Sequence, residues 1–175
     1  MPTPQIQTET QTETRTETPI QVRFQKLDER AVLPVQKTAG AAGLDLAVCL
    51  PRGEFEGTSV VIAPVHAGGR ILRLPLGFAC AIPTGYEGQV RPRSGLASMR
   101  GVTVPNAPGT VDSDYRGEMM VALINLGPEP VEIAHGDRVA QLVIAPVARA
   151  AIQAVDSLDE TERGTGGFGS TGGFR

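Results

Sequence analysis

RILRLPLGFACAIP (residues 70–83) is dense in Leu, Ile, Ala and Phe and is punctuated by Pro75, Gly77 and Pro83. Short apolar runs of the same kind recur on both sides: IQVRFQKL (20–27), VVIAPV (60–65), MMVALINL (119–126), VEIA (131–134) and RVAQLVIAPV (138–147). With 14 Pro and 21 Gly in 175 residues, few windows let an apolar period of about 3.6 residues run for three turns. A helical bundle is therefore disfavoured, and the reading is an all-β sandwich or barrel. One short helix is expected over residues 94–99, with Ser94 as N-cap and Gly101 just past its end.

The chain divides in three. Residues 1–19, MPTPQIQTETQTETRTETP, form a Thr/Glu/Gln run with too little apolar surface to offset the entropy of folding, so a disordered tail is expected. Its Glu9, Glu13 and Glu17 against a single Arg15 do not suit an organellar transit peptide. Residues 20–160 form one β domain, and residues 161–175 a Gly-rich arm. The formal net charge of −3 argues against bulk electrostatic binding of nucleic acid and favours a small anionic partner. No run approaches the ~20 apolar residues of a membrane span, so a soluble cytoplasmic protein is expected. Cys49 and Cys80 sit in apolar settings, AVCLP and GFACAIP, and read as buried free thiols of the core.

The arm, RGTGGFGSTGGFR (163–175), gathers the elements of a phosphate clamp. Its glycines expose backbone N–H groups and permit left-handed φ, Ser170 and Thr171 offer hydroxyls, Arg163 brings a forked cation, and Phe168 a flat face for a base. In GQVRPRSGLASMRG (88–101), Arg91 and Arg93 precede Ser94 and Gly95 at the expected helix start, an arrangement suited to an anion. A nucleophilic Ser94 is disfavoured because neither His66 nor His135 has a triad-like context. NAPGTVDSDYRGEMMVALIN (106–125) reads as a β-hairpin with polar tips, in which Asp112 follows the apolar approach of Thr110 and Val111 and suits a general base aimed at water. Asp114 reads as turn chemistry. Asp45, in TAGAAGLDLAV (38–48), suits a carboxylate that holds water on a metal ion. In HGDRVAQLVIAP (135–146), Gly136 and Asp137 read as a hairpin turn, and Gln141 is the lone amide of an apolar strand, serving either structure or the phosphate site.

Five of these segments, AGLDL (42–46), PRSGLA (92–97), NAPGTVDSDYRG (106–117), GDRVAQL (136–142) and RGTGGFGSTG (163–172), resemble in content and order the five motifs of the trimeric dUTPases. The resemblance implies a jelly-roll-like β-barrel subunit with one short helix, assembled as a homotrimer whose active sites draw on all three chains. It implies Mg²⁺-dependent hydrolysis of dUTP to dUMP and pyrophosphate by water attack at the α-phosphorus, which keeps uracil out of DNA and supplies dUMP for thymidylate synthesis. By the same resemblance Asp112 activates the water, and Tyr115 packs on the sugar and excludes a 2′-OH. Asn106, Thr110, Val111 and Met120 read the uracil, and Arg93, Ser94, Gly95 and Gln141 hold phosphates. Asp45 reaches the metal through water. Arg163, Phe168, Gly169, Ser170 and Thr171 close over the nucleotide. Leu44 departs from the Tyr that many members carry. The rival readings are a dCTP deaminase of the same fold family and a non-catalytic nucleotide sensor.

Overall fold

The computed structural model describes residues 19–53 and 59–167. Ten strands run through it: β1 (Arg23–Lys26), β2 (Leu44–Ala47), β3 (Ser59–Ile62), β4 (Leu72–Ala81), β5 (Tyr86–Pro92), β6 (Val102–Thr103), β7 (Gly109–Val111), β8 (Glu118–Asn125), β9 (Val131–Ala134) and β10 (Arg138–Pro146). Among the described residues the only α-helix is α1 (Ser94–Arg100), with a 3₁₀ turn at Val65–Ala67. The strands form one sheet in the order β1-β4-β8-β6, a second in the order β2-β10-β5-β7, and a two-stranded ribbon β3-β9. All ladders are antiparallel. The expected all-β class with one short helix is thus observed.

The stretch 70–83 supplies β4, which lies between β1 and β8. Its partner β8 alternates cleanly, with Met119, Val121, Leu123 and Asn125 buried and Met120, Ala122 and Ile124 more exposed, the period-2 pattern of a strand with one face on the core. β4 breaks that alternation: Leu76, Gly77, Phe78, Ala79 and Cys80 are all buried in succession. The cause is a bulge, since the β4–β8 register jumps between Pro75 and Ala79. Gly77 occupies it at φ 72°, and a Cβ there would lie 2.7 Å from Cys49 Sγ.

The core contains Leu46, Ile62, Leu74, Leu76, Phe78, Met119, Leu123 and Leu142, each at most 2 % exposed. Burying such a side chain contributes about 1.5–3 kcal/mol. Phe78 also meets Phe24 edge to face, with centroids 5.5 Å apart. Cys49 and Cys80 are buried free thiols, and burial pushes both up from the ordinary thiol range. Asn125 is the one fully buried polar side chain among the described residues. Its Nδ2 donates to the carbonyls of Ile62 (2.9 Å) and Glu129 (2.8 Å), and its Oδ1 accepts from Gly127 N–H.

Three sequence expectations are corrected here. The 106–125 segment is not a hairpin: β7 pairs with β5, through Gly88↔Val111 and Val90↔Gly109, whereas β8 pairs with β4. DSDYRG is therefore a corner that carries the chain from one sheet to the other. The Gly136-Asp137 turn is present, with Gly136 at φ 87° and Asp137 Oδ2 accepting from Ala134 N–H at 2.8 Å, but β9 pairs with β3 and β10 with β2 and β5. A turn of this chemistry joins strands of different sheets as readily as neighbours of one. Finally, Arg93 is the N-cap of α1, in extended conformation, and Ser94 is its first helical residue. The Ser98 hydroxyl donates back to the Ser94 carbonyl at 2.6 Å, and the helix runs on to Arg100 before Gly101 ends it at φ 70°.

Candidate functional site

The corner after β7 builds a cavity. Gly109 and Val111 are buried in the ladder with β5, so the chain arrives at Asp112 on a fixed strand end. Asp112 itself is exposed. Its carbonyl accepts from Tyr115 N–H at 3.2 Å, and the Arg116 guanidinium clamps the turn by donating to the carbonyls of Ser113 (2.8 Å) and Tyr115 (2.7 Å). The Tyr115 hydroxyl reaches over to the carbonyl of Glu118 at 3.0 Å. Thr110, Val111, Asp112, Tyr115, Met119 and Met120 then enclose about 190 Å³. Ring, aliphatic wall and a carboxylate at the mouth suit a flat, partly apolar ligand with a reacting bond outside the slot.

Gly117 makes the fold-over possible, because a Cβ at that position would lie 2.4 Å from the Tyr115 hydroxyl oxygen. That atom is the tip of a side chain that can swing away, so Gly117→Ala is expected to displace the ring while changing the melting temperature little. Ligand affinity should fall with it; unaltered affinity would show that the ring position is immaterial.

A second cluster lies where β2, β10 and β5 run side by side. Register places Gln141 between Asp45 on β2 and Arg91 on β5. Asp45 is held from two directions: Arg138 Nη1 meets Oδ2 at 2.7 Å and Arg93 Nε meets Oδ1 at 3.2 Å. Arg93 also donates to the Arg138 carbonyl at 2.9 Å. Two guanidiniums sharing one carboxylate leave a positive charge there, beside the exposed first turn of α1 with Ser94 and Gly95. A Cβ on Gly95 would meet nothing within 4 Å, so its backbone is open to close approach. Gln141 Nε2 donates to the Pro92 carbonyl at 3.0 Å, and its amide oxygen would lie 2.2 Å from a Cβ on Gly43. Gly43 in AGLDL is therefore the space that the Gln141 amide fills.

The structure thus gathers Thr110, Val111, Asp112, Tyr115 and Met120 in one place and Asp45, Arg93 and Gln141 in another, with Ser94 and Gly95 adjoining. Asn106 lies in the turn before β7, and its Nδ2 sits against Gly109. Arg163 is exposed, with Nε donating to the carbonyl of Gly166 at 2.8 Å. Phe168, Gly169, Ser170 and Thr171 lie outside the described residues. Sequence reasoning passed over Arg138 and Arg116. Arg138 stands 93 residues from its partner Asp45, and only the β2–β10 ladder joins them.

Comparison with known proteins agrees with the motifs. A family model described as dUTPase matches residues 29–172. The deoxyuridine 5'-triphosphate nucleotidohydrolase of Beijerinckia indica is 58% identical over 144 residues, covering 82% of this chain and 85% of that protein. The protein of the same name from Desulfotalea psychrophila is 57% identical, covering 82% and 89%. Among solved structures, Staphylococcus bacteriophage 80alpha dUTPase with dUpNHpp superposes with a TM-score of 0.74 at 23% identity, covering 87% of this chain and 98% of that one. At that identity the likeness concerns the fold. An aspartate-to-asparagine mutant of the dUTPase from phage phi11 of S. aureus, whose structure concerns the coordination of a structural Mg(II) ion, has a TM-score of 0.66 at 22% identity, covering 80% and 99%.

Proposed function

The chain belongs to the dUTPase family, and from that membership we infer how its residues carry out the reaction. The protein is a dUTP diphosphatase: it hydrolyses dUTP to dUMP and pyrophosphate. The observation that carries the site assignment is the cavity under Tyr115 with the exposed Asp112 at its rim. Uracil and deoxyribose enter that cavity, with Thr110, Val111, Met120 and Asn106 around the base and the Tyr115 ring against the sugar where a 2′-OH would need room. Asp112 orients the attacking water and accepts its proton. The water oxygen bonds to the α-phosphorus, the bond from that phosphorus to the bridging oxygen breaks, and the electron pair leaves with pyrophosphate.

Arg93, Ser94, Gly95 and Gln141 take the phosphates. Arg163 and the residues that follow it close over them, with Phe168 on the base and Gly169, Ser170 and Thr171 on the outer phosphates. For Mg²⁺ the donor set is informative: no group of three or more His, Cys, Asp or Glu is placed to hold a metal among the described residues, and both oxygens of Asp45 are engaged by guanidiniums. With both oxygens so engaged, Asp45 would hold Mg²⁺ through a water rather than directly. Bound there, Mg²⁺ would offset the charge of the phosphate oxygens.

The subunit is a jelly-roll-like barrel of a homotrimer in which neighbouring chains complete each site. One feature supports this: the segment after β10 exposes Ile152 (92 %), Val155 (54 %) and Leu158 (84 %), apolar side chains that a neighbouring copy would cover. Sedimentation equilibrium should give three times the 18.4 kDa chain mass; a monomer active at all concentrations would reject shared sites. The function is tested by pyrophosphate release with Mg²⁺ from dUTP, dCTP, dTTP and UTP, with ammonia assayed for dCTP. Turnover confined to dUTP is expected, whereas ammonia from dCTP would identify a deaminase.

A further inference from the structure

Two contacts from opposite directions converge on Glu118, the first residue of β8. Its main-chain carbonyl accepts the Tyr115 hydroxyl at 3.0 Å. Its side-chain Oε1 accepts the backbone N–H of Gly77 at 3.0 Å. Gly77 sits in the β4 bulge, where the register passes from Pro75↔Met120 to Ala79↔Glu118, so that Leu76, Gly77 and Phe78 face Met119 alone. A bulge leaves backbone groups without ladder partners. Here the Gly77 carbonyl takes Leu27 N–H and Asp28 N–H, and the Gly77 N–H takes the Glu118 carboxylate. Directly across from the bulge lie Met119 and Met120, two walls of the base cavity. The bulge has little freedom to relax, because Leu76 and Phe78 are fully buried and Gly77 packs against Cys49 and Ala31.

We propose that Glu118 is a positioning residue for dUTP: its carboxylate anchors the start of β8 to the β4 bulge, and the carbonyl so anchored holds Tyr115 over the cavity. The inference rests on the assignment of that cavity to the base and sugar. Glu118 touches no reacting atom and acts through Tyr115 and the two methionines. Because the link governs where the nucleotide sits rather than the basicity of Asp112, its loss belongs mainly in KM and in sugar discrimination. The Gly117 position and the Glu118 anchor act on the same ring from two sides, one by leaving space and the other by supplying a fixed acceptor.

The test is steady-state kinetics on the full chain with dUTP and UTP. Glu118→Ala is expected to raise KM for dUTP about tenfold and lower dUTP-over-UTP selectivity by a similar factor, with kcat within about threefold. Glu118→Gln, whose amide oxygen accepts the same N–H, should restore both to within about twofold of the wild type. Glu118→Asp, one methylene shorter, should behave as Ala and provides the comparison if the Ala variant does not fold. Tyr115→Phe removes the hydroxyl end of the link, so in a double-mutant cycle with Glu118→Asp the two effects on KM should not add. A lowered melting temperature in the Asp variant with unchanged KM and selectivity would overturn the proposal, as would additive effects. A wild-type enzyme indifferent to the 2′-OH would instead refute the cavity assignment on which the proposal rests.

Discussion

Asp112→Asn should lower the turnover of dUTP by at least ~100-fold, the scale of a positioned general base, while leaving nucleotide affinity almost unchanged. The substitution keeps size and hydrogen-bonding reach and removes basicity. Nothing in the local fold depends on the charge: Val111 is buried in the ladder with Gly88, the turn is closed by the Asp112 main-chain carbonyl, and Asp112 takes part in none of the three ion pairs among the described residues. The side chain is exposed at the cavity rim and open to water. Turnover measured beside equilibrium binding of a non-hydrolysable dUTP analogue separates the two roles. Full activity in the Asn variant would remove Asp112 from the chemistry; loss of binding with proportionate loss of turnover would make it a ligand instead.

Deleting residues 163–175 should have the second large effect, again on rate rather than stability. Among the described residues, nothing beyond Pro146 belongs to a strand or α-helix. Arg163 is exposed, its guanidinium bonds to Gly166 within the same turn, and Gly164 stands at φ 51°. None of residues 163–167 contributes to the core. Single surface substitutions away from a core are usually within about 0.5 kcal/mol, about 2 °C in melting temperature for a chain of this size, and loss of an arm outside the core should move it little more. Turnover should fall at least ~100-fold, because the donors that Arg163, Ser170 and Thr171 are proposed to bring to the phosphates would be gone. A melting temperature lowered by ten degrees or more would show that the arm is part of the folded domain.

The residues proposed to carry the chemistry were readable because their signals are local. Asp112 and Tyr115 share one turn, Arg93, Ser94 and Gly95 are consecutive, and the glycines of the arm mark themselves by composition. Arg138 was missed because its meaning depends on Asp45, 93 residues away, and a lone Arg at a strand start has no signature of its own. Glu118 was missed for a related reason. Its carboxylate answers a bulge in another strand, and the sequence of β4 shows Gly77 as one more turn residue.

By itself the sequence determined the all-β class, the places of most strands and turns, the short helix after Arg93, the buried cysteines and the family. Each of these follows from patterns within a few consecutive residues: alternation, Pro and Gly punctuation, and ordered short motifs. Only the tertiary structure decided which strands pair, that the segments at 112–117 and 135–137 are corners between sheets, that Arg93 caps α1, and that Arg138 and Arg93 grip Asp45. The physical reason is that a turn's backbone chemistry is satisfied whichever sheet its strands join, while the choice of sheet is made by burial of side chains far apart in the chain.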